Sequence, residues 1–404
     1  MDLLRKPWRY INEGNKHIVL KIMGTAHVLR LIKEGETEAD LKSIQLSVDF
    51  VNKVMFPLLI SDCCVLQELN VLSAEEIKGI SVKLSSCRPG YRKTESKISC
   101  YTIRAQDLSI LSPKCETNYC IEIKPKEGFI AASFRKFSKC YFCLKQFLKL
   151  QNGQIDNISE YCPLNLFSGD KMRMRHALLS LVSNPQNNFK IFKDGNIIYS
   201  DKNSLNEFEH IVQNMTLFGG STNLFIDFIA EMLLNNNETT NSIIRDTTEI
   251  QVINKERTKC LEENQLNNNT LLYKLLDLQK LSEKFSFCSS SNNEGNLDYI
   301  LSILQLIKME NLDLSRKTDT EKFIELCDSK YLAMISSVVK DCSLMMSFSS
   351  NFIEGYHTIQ IGESKIPYKV SVTDLEPKTM KTLEKRQKTE FKLIDIYQKH
   401  ISFL

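Results

Sequence analysis

A strand that cannot run past its own proline sets the strongest constraint on this chain. Residues 120–126 read Cys-Ile-Glu-Ile-Lys-Pro-Lys, and Cys120, Ile121 and Ile123 are the apolar or β-branched types that an interior strand prefers. Pro125 has no N–H to give to a ladder, so the strand must end there, with Lys124 and Lys126 projecting from a fixed turn. Two ammonium groups held in this way suit an anion, phosphate above all. Taken alone, the segment also reads as a charged strand end facing water.

At 404 residues the chain has room for roughly two or three lobes. Its 42% hydrophobic and 25% charged content is ordinary for a globular protein. A net charge of +3 from 52 basic residues leaves no whole-molecule field, so an acidic ligand has to be held by a local cluster. Asp2, Arg5, Lys6 and Pro7 leave no room for the apolar core of an export signal. Leu224 to Leu234, the most apolar stretch, is broken by Asp227 and Glu231 and reads as an amphipathic helix, not a membrane span. The thirteen cysteines are then expected to be reduced, buried thiols in cytosol or nucleus. Cys140 and Cys143 form a C-x-x-C, but no second ligand pair stands at a zinc-site spacing and no histidine lies between His210 and His357. Core packing on a helix shared with Phe147 is therefore expected, and no structural zinc.

Trp8 to Ile11, His17 to Ile22 and Val28 to Ile32 alternate around polar turns containing Gly14 and Gly24, which predicts an antiparallel meander. Residues 39–80, 138–150 and 172–182 carry helical spacing. Asparagine runs within 235–270 and the polar run 289–295 predict surface loops or a polar insertion within about 235–330, with no catalytic content. Helices resume at 298–307 and 320–327, strands at 344–348 and 368–372, and a basic helix at 379–400.

Further along, Asn184 to Lys190 puts amide and ammonium donors just after a helix. Lys340-Asp341-Cys342-Ser343 places an acid before one strand, and Asp374 ends another, with Lys378 shortly after. Two separated acids at strand edges with dispersed lysines are what metal-assisted phosphoryl transfer requires. Each piece has a plainer reading on its own: surface lysines for Lys149 and Lys190, a turn for Asn187-Asn188, and loop or cap acids for Asp341 and Asp374.

With these pieces in order, together with Glu13-Gly14-Asn15, Leu29-Arg30, Arg88-Pro89, Phe142 to Leu150 and Tyr161 to Gly169, the sequence resembles the inositol-pentakisphosphate 2-kinase family. The resemblance implies an α+β, two-lobed inositol-phosphate kinase fold distantly related to protein kinases. An N-terminal lobe would span 1–123 and a C-terminal lobe 124–404, with ATP between them. It implies transfer of the γ-phosphoryl group to the 2-hydroxyl of inositol pentakisphosphate. Glu13, Gly14, Asn15, Arg30 and Lys124 would meet ATP. Asp374 would hold Mg2+, and Asp341, assisted by Lys124, would serve the reacting hydroxyl. Arg88, Lys126, Lys145, Lys149, Asn187, Asn188, Lys190 and Lys378 would grip the substrate.

This chain also departs from the family pattern. Lys145 replaces an expected histidine, Lys190 stands where some relatives have arginine, and Leu-Glu-Pro-Lys after Asp374 leaves Lys381 as a substitute for Lys378. The structural zinc that some relatives carry is not expected here. A monomer is expected, with neither nucleic acid nor membrane as partner. The competing readings are a kinase for another inositol phosphate, a non-catalytic inositol-phosphate binder, and a nucleic-acid binder, for which the lysines are too dispersed.

Overall fold

The computed structural model describes residues 6–14, 16–34, 40–59, 66–89, 97–235, 241–244, 260–285 and 297–402. It is a mixed α and β protein built on two sheets. The first contains β1 (Trp8–Glu13), β2 (His17–Ile22), β3 (His27–Glu34), β4 (Glu68–Val71) and β5 (Lys97–Gln106), in the order β1-β2-β3-β5-β4 and antiparallel throughout. The alternation of the meander decides its faces: Ile18, Leu20 and Ile22 of β2 and Leu29 and Leu31 of β3 point into a small core with Trp8, Leu72, Ile80 and Leu84.

Residues 39–80 are not one helical tract, as their spacing suggests. The Leu41–Phe50 helix passes through a π-turn at Val51–Met55 and ends at Leu59, after which β4 adds an edge strand to the first sheet. The Ala74–Cys87 helix then starts on a capping box made by Ser73 and Glu76.

The second sheet contains β6 (Asn118–Ile123), β7 (Phe189–Lys193), β8 (Asn196–Tyr199), β9 (Asn241–Ile244), β10 (Ser343–Ser349), β11 (His357–Ile361) and β12 (Ser364–Thr373), in the order β8-β7-β6-β10-β12-β11-β9. It is antiparallel except where β9 joins β11. β6 belongs here, so the change of sheet falls between Gln106 and Asn118, ahead of the expected boundary at 123.

Helices cover this sheet and form the main core. Phe225, Phe228 and their neighbours on the Thr222–Leu234 helix pack against Phe218 and Phe348. Its two acids are paired at the helix margin, Asp227 with Arg175 and Glu231 with Lys171. Among the described residues no helix is long and apolar enough to cross a membrane. The segment read as a polar insertion needs correction. The Leu271–Lys280 helix within it buries Leu272, Leu275, Leu276 and Leu278 in the main core, and Asp298–Met309 adds Tyr299, Ile300 and Ile303. The polar runs on either side of the first helix obscured its apolar stripe, whereas the second lies where a helix over 298–307 is expected.

Candidate active site and a cysteine centre

Antiparallel register gathers the candidate residues. Ile123 at the end of β6 faces Leu344 at the start of β10 and Phe189 at the start of β7, while Ser343 faces Thr373 at the end of β12. Four strand ends thus meet at one edge of the second sheet. The residues just beyond them, Lys124 to Lys126, Asn188, Asp341 and Asp374, are brought together although 250 positions separate the first from the last.

Asp341 sits between two cations, with Lys126 Nζ 3.2 Å from Oδ1 and Lys378 Nζ 3.2 Å from Oδ2. Burial works to raise its pKa, but Lys378 and Lys126 outweigh burial and hold the carboxyl below its usual range. Asp374 lies 3.6 Å from Lys124 Nζ, and Ser343 Oγ lies 3.0 Å from both Asp374 Oδ2 and Glu122 Oε1. Lys190, opposite Glu122 across the sheet, is 3.4 Å from its carboxylate. Lys190 therefore stands on the Asp374 side of the site.

Lys145 and Lys149, on the Tyr141–Gln151 helix, complete the basic cluster. Burial first, and then Lys126, lower the pKa of Lys145; burial, Lys145 and Lys126 do the same to Lys149. Lys149 Nζ donates to Gln186 Oε1 at 3.0 Å. The turn that Gln186 occupies ends at buried Asn188, whose carbonyl accepts the Lys124 N–H at 2.9 Å. Lys378 is the lysine on Asp341, while Lys381 opens the C-terminal helix.

A cavity of about 260 Å³ lies between the two sheets beside this cluster. Val19, Val28 and Arg30 line it from the first sheet, and Met345, Val372 and Asp374 from the second side. Gln106, Asp107 and Leu108 of the connector close one edge, and Val51 and Phe56 reach it from either end of the π-turn. Arg30 pairs with Glu376, joining the first sheet to the segment after Asp374. Burial and Arg30 push His17, beside this pair, down to about 4, so its ring is neutral at pH 7.

Two of the expected ligand contacts are occupied differently. Arg88 is buried, and its Nε donates to Glu13 Oε2 at 2.8 Å, with Lys33 Nζ 3.8 Å from the same oxygen. Glu13 and Arg88, expected on ATP and substrate respectively, are thus each other's partners behind the β1–β2 turn. A buried carboxylate next to a buried guanidinium pairs with it before it binds a solvent-borne ligand. Ile11 and Asn12 of the same strand line the cavity instead. Gly14 holds the turn through its carbonyl, which accepts from Lys33 Nζ at 2.9 Å; Asn15 lies outside the described residues.

Residues given no role from sequence support the cluster from behind. Gln279 is fully buried; its Oε1 accepts the Gly128 N–H at 2.8 Å, and its Nε2 donates to the carbonyls of Lys126 at 2.8 Å and Val339 at 3.3 Å. One side chain from the supposed insertion therefore ties the Lys126 segment to the Asp341 segment. At Gly128 a Cβ would stand 2.5 Å from the Phe167 ring, so the backbone approaches closely there. Glu122 could have been found: a charge between Ile121 and Ile123 on an interior strand has to face a polar space.

Cys140 is buried in the main core with Cys143 packed against it, as expected, but the two do not stand without a second pair of thiols. The fold brings Cys162 and Cys260 to them, and the four Sγ atoms lie within 4.8 Å of one another. Cys162 to Cys260 is 3.7 Å and Cys260 to Cys143 is 3.9 Å, while all four are free thiols. Tetrahedral thiolate coordination at the usual Zn–S length sets sulfurs about 3.8 Å apart, so the donor set and its spacing fit zinc. Burial pushes Cys140 well up, while Cys140, Cys143 and Cys162 hold Cys260 well below the thiol range by hydrogen bonding to it. The missing pair was not at a motif spacing. It comes from single cysteines 19 and 117 positions beyond Cys143.

The sequence is similar to known proteins of one family. The profile of the inositol-pentakisphosphate 2-kinase family matches residues 10–392. A zebrafish (Danio rerio) inositol-pentakisphosphate 2-kinase is 27% identical over 464 aligned positions, covering 96% of this chain and 92% of the relative. The Arabidopsis thaliana protein of that name is 29% identical over 308 positions, covering 69% of this chain and 59% of its own. One from Drosophila melanogaster is 36% identical over 114 positions, 20% of this chain and 18% of its own. The chain belongs to the inositol-pentakisphosphate 2-kinase family.

Proposed function

We propose that the protein transfers the γ-phosphoryl group of ATP to the 2-hydroxyl of inositol 1,3,4,5,6-pentakisphosphate, giving inositol hexakisphosphate. The observation that carries this reading is Asp341, held 3.2 Å from both Lys126 and Lys378 beside Lys145 and Lys149. A compact polyanion needs such a gathering of cations, and its hydroxyl needs one acid among them.

In this reading the two sheets are the cores of two lobes that divide between residues 106 and 118, as in a kinase. The adenine ring enters the cavity between Val19 and Met345, against the connector at Gln106 to Leu108. Arg30 and Lys124 then face the phosphates. Asp374 and Glu122, two carboxylates sharing the Ser343 hydroxyl, form an oxygen donor set suited to Mg2+. Magnesium, when bound, neutralises charge on the transferring phosphoryl oxygens.

Asp341 accepts the proton of the 2-hydroxyl as that oxygen attacks the γ-phosphorus and the bond to ADP breaks. Lys126 and Lys378 turn from Asp341 toward substrate phosphates, which leaves the carboxylate free to accept. Before substrate binds, Lys378 and Lys126 outweigh burial and hold its carboxyl below the usual range, so it meets the hydroxyl ionised. Asp341→Asn, incubated with ATP, Mg2+ and inositol pentakisphosphate, is expected to bind substrate but lose about a hundredfold or more in kcat. Wild-type turnover in this variant would remove Asp341 from the role, and absence of hexakisphosphate formation by the wild-type protein would overturn the activity.

The cysteine centre has a separate role in this reading: Cys140, Cys143, Cys162 and Cys260 hold a structural zinc ion. With four protein thiolates the shell is closed, so the metal takes no part in phosphoryl transfer.

A further inference from the structure

Behind the pair formed by Lys126 and Asp341 lies a second pair made by their chain neighbours with the charges reversed. Glu127 Oε1 is 3.6 Å from Lys340 Nζ. The outer pair faces the site, with Asp341 60% exposed, whereas the Glu127 side chain is 3% exposed. Lys126-Glu127 and Lys340-Asp341 therefore meet as two rungs, one catalytic and one internal.

The internal rung is fastened to two further elements. Arg386, one turn into the C-terminal Lys381–Ser402 helix, forms an ion pair with Glu127, its Nη2 2.8 Å from Oε2, and its Nε donates to Glu390 Oε1 at 2.6 Å. Its guanidinium lies 3.4 Å from the centre of the Tyr141 ring. Lys340 Nζ donates to Ser282 Oγ at 2.6 Å and lies 5.0 Å from the Phe129 ring centre. A buried carboxylate between two cations is held to one geometry, because any displacement leaves a charge unpaired.

We propose that Glu127, clamped by Lys340 and Arg386, is a positioning residue that sets the separation and orientation of Lys126 and Asp341. The C-terminal helix thereby becomes part of the machinery around the reacting hydroxyl. The proposal rests on the reading of Asp341 as the proton acceptor. Phosphoryl transfer is sensitive to placement, and a 1 Å error in a reacting group costs about a hundredfold in rate. Burial works to raise the pKa of Glu127, but Arg386 and Lys340 outweigh it and keep the carboxylate ionised. Glu390 and Tyr141 are the other titratable groups around Arg386.

The test compares variants that break the rung with one that removes it. Glu127→Gln leaves two buried cations short of a partner. The triple variant E127M/K340M/R386M replaces the three charges of the rung by apolar side chains of similar length, leaving Glu390 at the partly exposed margin, a change that buried ion clusters commonly tolerate. In the folded triple variant kcat is expected to fall about tenfold to a hundredfold, with the ATP KM unchanged.

The acidic limb of kcat/KM should also move to higher pH. Asp341 is faced by Lys126, Lys378 and Lys145, and freeing Lys126 weakens the field that holds its carboxyl down. A merely structural rung predicts wild-type kcat and an unmoved limb in the folded triple variant, and that result would overturn the proposal. If the triple variant does not fold, Arg386→Met decides by the same two readouts, with Arg386→Lys expected to recover part of kcat. Asp341→Asn measured alongside keeps the two ideas apart. Its inactivity with an unaffected triple variant removes the rung and leaves the reaction assignment standing.

Discussion

Four residues bordering the site hold backbone conformations that L side chains avoid: Lys126 (φ 60°), Gln186 (φ 43°), Asn187 (φ 62°) and Asp374 (φ 63°). Each costs on the order of 1–3 kcal/mol and persists only where the surroundings fix it. Gln279 supplies that hold at Lys126 through its carbonyl. A Pro-Gln-Asn-Asn turn supplies it at Asn187, since asparagine tolerates the left-handed region best among non-glycine residues. The same residue scale carries a pH prediction. Lys149 has a lowered pKa because it is partly buried and faces Lys145 and Lys126. A lysine with a lowered pKa becomes neutral at a pH where an ordinary lysine is still charged, so a cation is lost early on the alkaline side. The kcat/KM for inositol pentakisphosphate, which reports the free enzyme, should therefore fall below the usual lysine range near pH 10.4. Lys149→Arg, whose charge does not titrate there, should move the fall to higher pH. An alkaline limb unchanged by Lys149→Arg would exclude Lys149 as its source.

The Tyr141–Gln151 helix links the cysteine centre to the substrate site. It starts on Cys140 as its N-cap, contributes Cys143 to the centre, and carries Lys145 and Lys149 on the face toward Asp341. Next to Cys162, Tyr161 donates its hydroxyl to the Pro125 carbonyl at 2.6 Å, directly between Lys124 and Lys126. If the four thiolates hold zinc as proposed, its removal reaches the lysines through two routes. Protein purified without chelator is expected to carry about one zinc per chain. Cys260→Ser should lower both that content and Tm, and should raise the inositol phosphate KM more than the ATP KM. Metal-free wild-type protein with the Tm of the variant would mean that the thiols are a packing cluster.

This element also marks where the sequence is readable. The meander, the strand stopped by Pro125 and the helix at 141–151 follow from local alternation and spacing. The association of Cys162 and Cys260 with Cys143 follows from tertiary packing across 117 positions, which no spacing rule encodes. Gln279 was hidden in the same way, as one amide on a leucine-rich segment between the polar runs at 235–270 and 289–295. Glu13 and Arg88 were each legible as charged residues, but their mutual burial was not.

Across the whole molecule, a net charge of +3 gives no general attraction for a polyanion. The attraction has to come from the fold, which draws Lys126 from the end of β6, Lys149 from a helix and Lys378 from the segment after β12 into one cluster. Each charge-assisted contact to a phosphate contributes about 1.5–3 kcal/mol, and neighbouring contacts couple. Alanine at Lys126, Lys149 or Lys378 should therefore raise the inositol pentakisphosphate KM by about tenfold or more, while the ATP KM changes far less. Pairs of substitutions should fall short of additivity, because each remaining lysine is relieved of a like-charged neighbour. Raising ionic strength from about 0.01 to 0.15 M shortens the screening length from about 30 to 8 Å, so the wild-type KM should climb with salt and the variants' KM should climb less steeply. Lys190 separates the two halves of the pocket. Paired with Glu122 on the Asp374 side, it is expected to affect the ATP KM as well. Single variants at Lys126, Lys149 and Lys378 that all bind inositol pentakisphosphate as the wild type does would mean that the polyanion docks elsewhere.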